Sequence, residues 1–434
     1  MDSLFDFRYG WISDFKTALA MGQSLAILGM GLSGQAAAKL AQAQGDQVIT
    51  FDATAKADAA EFSKTDLTAV DQILISPGFE ASHPWRQCAL ASDKPCISEI
   101  EYAAEKWRGK IYGVTGTNGK TSLTELLAAA FCISGADAIA CGNIGVPFSE
   151  VANSARNTSQ TIAVCELSSF QAELVERFQL DGLLWTNFAP DHLDRYHQLS
   201  DYLNAKWKLV HCLKTQAPFF YGVEVSEAIE AHALEAKGSS VAVEAIDLSG
   251  LPVDSPFRHS PQQANLALAQ ALWQELGLGA SALRQAAVEF KVPAYRFELV
   301  AQHAGVNFWN DSKATNFHAV NAALGSLSEG SVFWIGGGRA KGGNPADLVA
   351  ILEGRITEAC IYGECAPSLS SALNESSIPY HQSKDCGDAI RQAAHLAQAN
   401  PPAHVLFSPG FASFDAFSSY LERGKYFDSI VFSL

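Results

Sequence analysis

The stretch from Ile111 to about residue 122 constrains the fold more than any other part of the chain. The apolar run Ile111–Thr115 opens straight into Gly116-Thr117-Asn118-Gly119-Lys120-Thr121, and a helical pattern follows from about Ser122. Glycines there let backbone N–H groups turn inward, and a helix N-terminus adds positive potential to the same spot. Lys120 can reach terminal phosphates and the Thr121 hydroxyl can ligate Mg²⁺. The strict GxxxxGK[ST] spacing is not met, since Val114 occupies its first glycine position. A plain glycine turn with a solvated lysine would explain the string but not its setting between a strand and a helix. The combination predicts a nucleotide phosphate cradle made of Gly116, Thr117, Asn118, Gly119, Lys120, Thr121 and Ser122, on the edge of an α/β sheet.

The rest of the chain repeats that alternation. Leu25–Leu28 precedes Gly29-Met30-Gly31-Leu32-Ser33-Gly34 and an alanine-rich helical stretch, and Val48–Phe51 and Gln72–Ile75 read as further strands. Thr161–Cys165 and Gly182–Trp185 follow the phosphate loop, and Val332–Ile335, Ala359–Tyr362 and His404–Phe407 form a third block. At 434 residues the chain exceeds one ordinary core. The expectation is an α/β protein of three domains with mostly parallel sheets, bounded at 1–109, 110–295 and 296–434. Residues 1–22 carry no chemical signal.

Composition excludes several classes. A formal charge of −16 argues against a nucleic-acid partner. It still permits anionic ligands, because lysines, helix N-termini and metal ions act locally. No apolar run reaches the roughly 18 residues of a membrane span, and Met1–Asp6 does not begin a secretory signal. The nine cysteines are dispersed without a CxxC, with Cys360 and Cys365 the closest pair. That pattern predicts reduced thiols and a cytoplasmic location.

A second constellation lies at the ends of the two strands that follow the phosphate loop. Thr161–Cys165 runs into Glu166-Leu167-Ser168-Ser169-Phe170-Gln171, and Gly182–Trp185 leads to Asp191-His192-Leu193-Asp194-Arg195-Tyr196. Parallel strands bring both ends to the edge that carries the loop, so Glu166 and His192 can share a metal, Mg²⁺ or Mn²⁺. Singly, Glu166 would read as a salt-bridge residue and His192 as a cap or core histidine; the loop beside them favours a ligand role. Tyr202-Leu203-Asn204-Ala205-Lys206 follows on a predicted helix.

These segments together resemble the Mur ligase superfamily, and within it the glutamate-adding branch, from about Gln23 to Leu434. The resemblance is carried by Gly-Thr-Asn-Gly-Lys-Thr, Gly142–Pro147, Glu166–Gln171, Asp191–Tyr196, Asn310-Asp311-Ser312-Lys313-Ala314-Thr315-Asn316 and Ser408–Asp415, and by their order. It implies a Rossmann-like N-terminal domain, a central P-loop ATPase-like domain and a Rossmann-like C-terminal domain. It implies ATP and two Mg²⁺ ions as cofactors, with Mn²⁺ as a substitute, and Lys206 carbamylated by CO₂. A free ammonium would be repelled by Mg²⁺, whereas a carbamate offers it two anionic oxygens. The implied partners are UDP-N-acetylmuramoyl-L-alanine and glutamate, with the chain acting as a monomer.

Residue by residue, the resemblance places Leu32, Ser33, Asp52 and Gly78 at the UDP, and Asn143, Ser168, Gln171 and His192 at the muramoyl-alanine part. Asn265, Arg296, Asp311 and Lys313 would complete the ATP site, and Thr315, Lys341, Ser413 and Tyr420 would hold glutamate. Metal ligands would be Thr121, Glu166, His192 and Lys206, and Lys120, His192, Lys206, Asp311 and Lys313 the catalytic set. Four departures stand out. Pro261-Gln262-Gln263-Ala264-Asn265 replaces His-Asn-x-x-Asn, Tyr295 replaces a histidine, Gly410-Phe411-Ala412-Ser413 replaces Ala-Cys-Ala-Ser, and Tyr420 replaces Phe. The last two leave D- and L-glutamate both open. Two readings from other classes compete. Gly29, Gly31, Gly34 and Asp52 alone fit a nicotinamide-dependent dehydrogenase equally well, and the loop alone fits an ATP-gated binding module. Ligases adding diaminopimelate or alanine, and folate ligases, are nearer rivals.

Overall fold

The computed structural model describes residues 22–434 apart from 236–237, 242–245 and 254. The silent stretch 1–22 therefore lies outside the described residues except for Gly22. Three sheets follow one another along the chain. The first holds β1 (Ser24–Leu28), β2 (Gln47–Phe51), β3 (Gln72–Ile75) and β4 (Cys96–Ile97), all parallel in the order β2-β1-β3-β4. Leu25 through Leu28 are each fully buried, the continuous apolar run expected of a strand covered on both faces.

The second sheet has β5 (Lys110–Thr115), β6 (Asp137–Gly142), β7 (Thr161–Glu166), β8 (Gly182–Trp185), β9 (Phe219–Tyr221) and β10 (Ser239–Ser240), ordered β10-β9-β8-β5-β7-β6. β5 lies between β7 and β8, parallel to both. The ends of those two neighbours therefore flank whatever follows β5. The helix after the phosphate loop spans Lys120–Ile133, starting two residues before the sequence expectation because Gly119 takes a left-handed φ of 82° and caps it. Its Leu123, Leu127 and Phe131 pack with Trp273 and Leu283 from the helices Gln262–Glu275 and Ala280–Glu289.

The third sheet comprises β11 (Glu298–His303), β12 (Val306–Asn310), β13 (Ser331–Gly337), β14 (Glu358–Tyr362), β15 (Tyr380–Gln382) and β16 (Ala403–Gly410), ordered β11-β12-β16-β13-β14-β15. Only β11 runs antiparallel, paired to β12 with a register shift between Leu299 and Ala301. Sequence reading missed that hairpin because β11 is mostly exposed and lacks the apolar run of a buried strand. It missed β6 because Asp-Ala-Ile-Ala-Cys-Gly carries little β-branched or aromatic character. No helix among the described residues is long and apolar enough to cross a membrane.

Candidate active site

The loop after β5 is wired in place by the strand beside it. Gly116 has φ 143°, and a Cβ there would run into the Thr186 hydroxyl. Thr186 Oγ1 donates to the Asn118 carbonyl at 2.5 Å, and the Asn118 N–H donates to Asn187 Oδ1 at 2.9 Å. Thr117 Oγ1 donates to the Ala189 carbonyl and accepts from the Ala189 N–H, both at 3.1 Å. Thr186 and Asn187 escaped the sequence reading, although they extend β8 toward the loop. On the helix side, buried Asn265 donates to the Gly119 carbonyl at 3.3 Å and to Gln262 Oε1 at 2.9 Å. Gln262 Nε2 in turn donates to the buried Ser122 hydroxyl at 3.2 Å. Asn265 thus braces the loop in this structure, and Gln262 joins it.

Lysines crowd this loop. Lys120 Nζ donates to the carbonyls of Gly116 at 2.8 Å and Thr117 at 2.9 Å. Lys206, only 1% exposed, donates from Nζ to the same Gly116 carbonyl at 2.9 Å. Burial lowers the pKa of Lys120, and drives that of Lys206 well below the ordinary lysine value with Lys120 as the next cause. Two ammonium groups that share one carbonyl in a dry site repel each other, so the neutral amine is favoured at Lys206. Glu166, 3% exposed at the end of β7, accepts from Thr121 Oγ1 at 2.8 Å and from Asn143 Nδ2 at 2.9 Å. Ser168 and Gln171 form a capping box in which Gln171 Oε1 accepts from the Ser168 N–H and hydroxyl. Gln171 therefore directs its oxygen to its own helix.

His192 sits in a left-handed turn, φ 58°, with its ring 4.6 Å from that of Phe170. Burial lowers its pKa to about 4, so the imidazole is neutral at pH 7 and has a lone pair to offer. Among the described residues no group of three or more His, Cys, Asp or Glu could hold a metal. Thr121 and Glu166 provide hard oxygen donors beside the loop, and His192 a nitrogen. An unmodified Lys206 amine does not complete such a set for Mg²⁺, whereas anionic oxygens would.

The third sheet docks onto this edge. Asn316 Nδ2 donates to Asp191 Oδ2 at 2.9 Å, and Asn118 Nδ2 donates to Asn316 Oδ1 at 3.1 Å and lies 3.0 Å from His318 Nδ1. Lys341 Nζ lies 3.3 Å from Thr315 Oγ1 and 3.4 Å from Asp191 Oδ1, and the Lys341 carbonyl accepts from the Asp194 N–H at 3.0 Å. Thr315 and Lys341 are thus brought together beside His192. Tyr420 lies elsewhere, its ring 4.1 Å under Lys313 Nζ. Ser413 is buried on the loop after β16, its carbonyl accepting from the Ala416 and Phe417 N–H groups. Burial lifts the Asp311 carboxyl to about 7, although it accepts from Ser408 Oγ at 2.8 Å. Burial, then Arg296 and Lys120, bring Lys313 down to about 7. Arg296 has a buried Nε without a protein partner, and it is flanked by two left-handed residues, Tyr295 at φ 62° and Phe297 at φ 52°. Strain of this kind is held where the surrounding structure imposes it, here by Phe297 stacked on Trp309 at 4.5 Å.

A separate cleft of about 730 Å³ opens above the first sheet, lined by Leu32, Ser33, Asp52 and Gly78 together with Phe79 and Trp85. The two aromatic residues were not among the sequence candidates. Asp52 Oδ2 accepts from the Met30 N–H at 2.7 Å, while Oδ1 accepts from the N–H groups of Thr54 and Ala55, both at 2.8 Å. Those donors, Met30 first, lower its pKa to about 2. A dehydrogenase would need this carboxylate to accept ribose hydroxyls. Here its oxygens already serve the loop, which weighs against that reading.

Fold and site point to an enzyme class: a three-sheet α/β protein whose glycine-rich loop after β5 has the shape of a phosphate cradle, next to an acid, a neutral imidazole and a buried lysine. Models of the Mur ligase middle domain and of the Mur ligase, glutamate ligase domain match residues 114–247 and 295–411. The UDP-N-acetylmuramoylalanine–D-glutamate ligase of Protochlamydia amoebophila is 32% identical, covering 94% of this chain and 98% of its own. The enzyme of that name from Chlamydia pneumoniae is also 32% identical, covering 95% and 98%. Among solved structures, a pseudomurein peptide ligase type C from Methanothermus fervidus superposes with TM-score 0.59 at 14% identity, covering 95% of this chain and 99% of its own. The MurF ligase of Thermotoga maritima in complex with ADP gives 0.56 at 16%, covering 85% and 90%. The chain belongs to the Mur ligase family, with the UDP-N-acetylmuramoylalanine–D-glutamate ligases.

Proposed function

We propose that this protein joins D-glutamate to UDP-N-acetylmuramoyl-L-alanine at the expense of ATP, as a cytoplasmic monomer in peptidoglycan synthesis. The substrate carboxylate attacks the ATP γ-phosphorus and the bond to ADP breaks, leaving an acyl phosphate. The glutamate amine then attacks the acyl carbon, phosphate departs with the bonding electrons, and the nitrogen releases one proton to leave a neutral amide. Carboxylate and triphosphate repel each other, so the site must supply positive charge. Lys120, Arg296 and Lys313 bring cations from two sheets, and the helix N-terminus at Lys120 adds its dipole. Two Mg²⁺ ions, one beside Thr121 and a second held by Glu166, His192 and a carbamylated Lys206, would neutralise charge on the phosphates and the acyl oxygen; Mn²⁺ fits the same donors.

The observation that carries this reading is the Gly116 carbonyl shared by Lys120 and Lys206. Only a neutral amine attacks CO₂, and this crowding favours the neutral form at Lys206. The first sheet would hold UDP in the cleft above β1, the second ATP, and the third glutamate at Thr315 and Lys341; Tyr420, under Lys313, lies apart from that pair. Residues 1–109, 110–295 and 296–434 would be the corresponding domains. Docking of the third onto the second through Asn316 and Lys341 would shield the acyl phosphate from water. The test is a product assay with ATP, Mg²⁺ and UDP-N-acetylmuramoyl-L-alanine, offering D-Glu, L-Glu, diaminopimelate or lysine separately. Amide formation with D-Glu is expected; phosphate release independent of any amino acid would sink the ligase reading.

A further inference from the structure

We infer that Arg195 is a positioning residue that sets the span between the cleft above the first sheet and the reacting carboxylate. The inference rests on the substrate reading above and concerns how the chain measures that substrate. The Arg195 guanidinium is nearly buried, 7% exposed, and uses all three nitrogens. Nη1 donates to the Pro77 carbonyl and Nη2 to the Phe79 carbonyl, each at 2.9 Å. Nε donates to Glu173 Oε1 at 3.0 Å and Nη2 to Oε2 at 2.9 Å. Arg86, from the first sheet's side, donates to the same Phe79 carbonyl at 2.9 Å and pairs with Glu173 at 2.6 Å. Tyr196 completes the knot, its hydroxyl donating to Glu173 at 2.7 Å. The carbonyls on both sides of Gly78 are thereby drawn toward Arg195. Gly78 itself lines the cleft, with open space where a side chain would stand.

The other side of the same guanidinium leads to the reaction centre. It lies 4.1 Å from the Phe170 ring, which also packs edge-on against the His192 ring at 4.6 Å and against Tyr196 at 6.1 Å. The Arg195 and Tyr196 N–H groups both donate to the His192 carbonyl, at 3.0 and 2.9 Å. One planar cation thus touches the rim of the nucleotide cleft and the buttress of His192. A nucleotide-sugar acid has its diphosphate and carboxylate joined through one sugar ring, which bounds how far apart they can lie. Binding both ends gains from their linkage only if the two subsites stay within that bound. Lysine cannot replace this part, because one ammonium lacks the planar fork that meets two carbonyls and a bidentate carboxylate.

The experiment uses the full chain and measures, by calorimetry, the Kd of UDP alone and of UDP-N-acetylmuramoyl-L-alanine, then kcat with saturating ATP. For Arg195→Lys and Arg195→Met, UDP binding should change by less than about threefold while the whole substrate weakens by about tenfold or more. kcat should fall on the order of 100-fold, as misplacement by about 1 Å implies. A second variant, Phe170→Leu, leaves the interdomain bonds intact and should lower kcat with UDP binding unchanged. Equal weakening of UDP and whole substrate, or no change in either, would overturn the inference. If wild type bound UDP but formed no amide with any amino acid, the function reading would fail instead.

Discussion

Two glycine-rich turns, one after β1 and one after β5, start from similar sequence and end in opposite electrostatics. At Gly116–Thr121 burial works against charge: the pKa values of Lys120, Lys206 and Lys313 are all pushed down and that of Asp311 up to about 7. At Gly29–Gly34 the neighbouring acid keeps its charge, because three backbone N–H groups hold Asp52 at about 2. The first turn stabilises its own backbone and offers shape, with Phe79 and Trp85 beside it. The second leaves its polar groups poised for a ligand that brings charge with it. A glycine turn by itself therefore says where a phosphate could lie; the groups converging from other elements say whether chemistry happens there.

The largest break in this contrast should come from Lys206→Ala. Turnover is expected to fall by about 1,000-fold or more, the scale of losing an electrostatic stabiliser. A small added carboxylate should restore part of it, since it can replace the carbamate oxygens; full activity without rescue would remove Lys206 from the mechanism. Lys120→Ala should be nearly as severe, with ATP binding lost and UDP binding retained.

Asp52→Ala attacks the other turn. UDP affinity should drop about tenfold as Met30, Thr54 and Ala55 lose their shared acceptor, while ATP binding stays as in wild type. An equal loss of both ligands would show that the two turns are not independent.

Asp311→Asn sharpens the pH contrast. Its folded pKa of about 7 exceeds the ordinary 3.8, so the folded state binds more protons than the unfolded between those values. Asp311 therefore costs stability as pH rises through that window. Thermal melts should show the variant gaining on wild type at pH 8 and not at pH 4; the same difference at both would contradict the buried-carboxyl account. Leu32→Ala is the mildest change. Leu32 is 74% exposed at the cleft, so stability should move by less than about 0.5 kcal/mol. UDP should bind about threefold more weakly, by the area lost, and unchanged binding would take Leu32 out of the site.

Much of the architecture could be read along the chain. Each short apolar run between a glycine turn and a helix became a strand at the expected place, from Leu25–Leu28 to His404–Phe407, because a strand buried on both faces leaves a local signature. The exposed β11 left none. The site divides the same way. That Lys120, Thr121 and Glu166 meet at one sheet edge was legible because strand, loop and helix are contiguous, and parallel strands end on one edge. Thr186, Asn187, Gln262, Phe79 and Arg195 were not, because what they do depends on partners far away in sequence.

By itself the sequence determined that this chain is an α/β protein with a strand, a glycine-rich loop and a helix meeting between Thr115 and Ser122, the candidate phosphate cradle, since local backbone freedom and helix polarity suffice for that. Only the tertiary structure decided the charge states and spans. It placed two lysines on one carbonyl, turned Asp52 onto its own loop and set Arg195 between two sheets. The reason is physical: desolvation and Coulomb coupling depend on what surrounds a group in space.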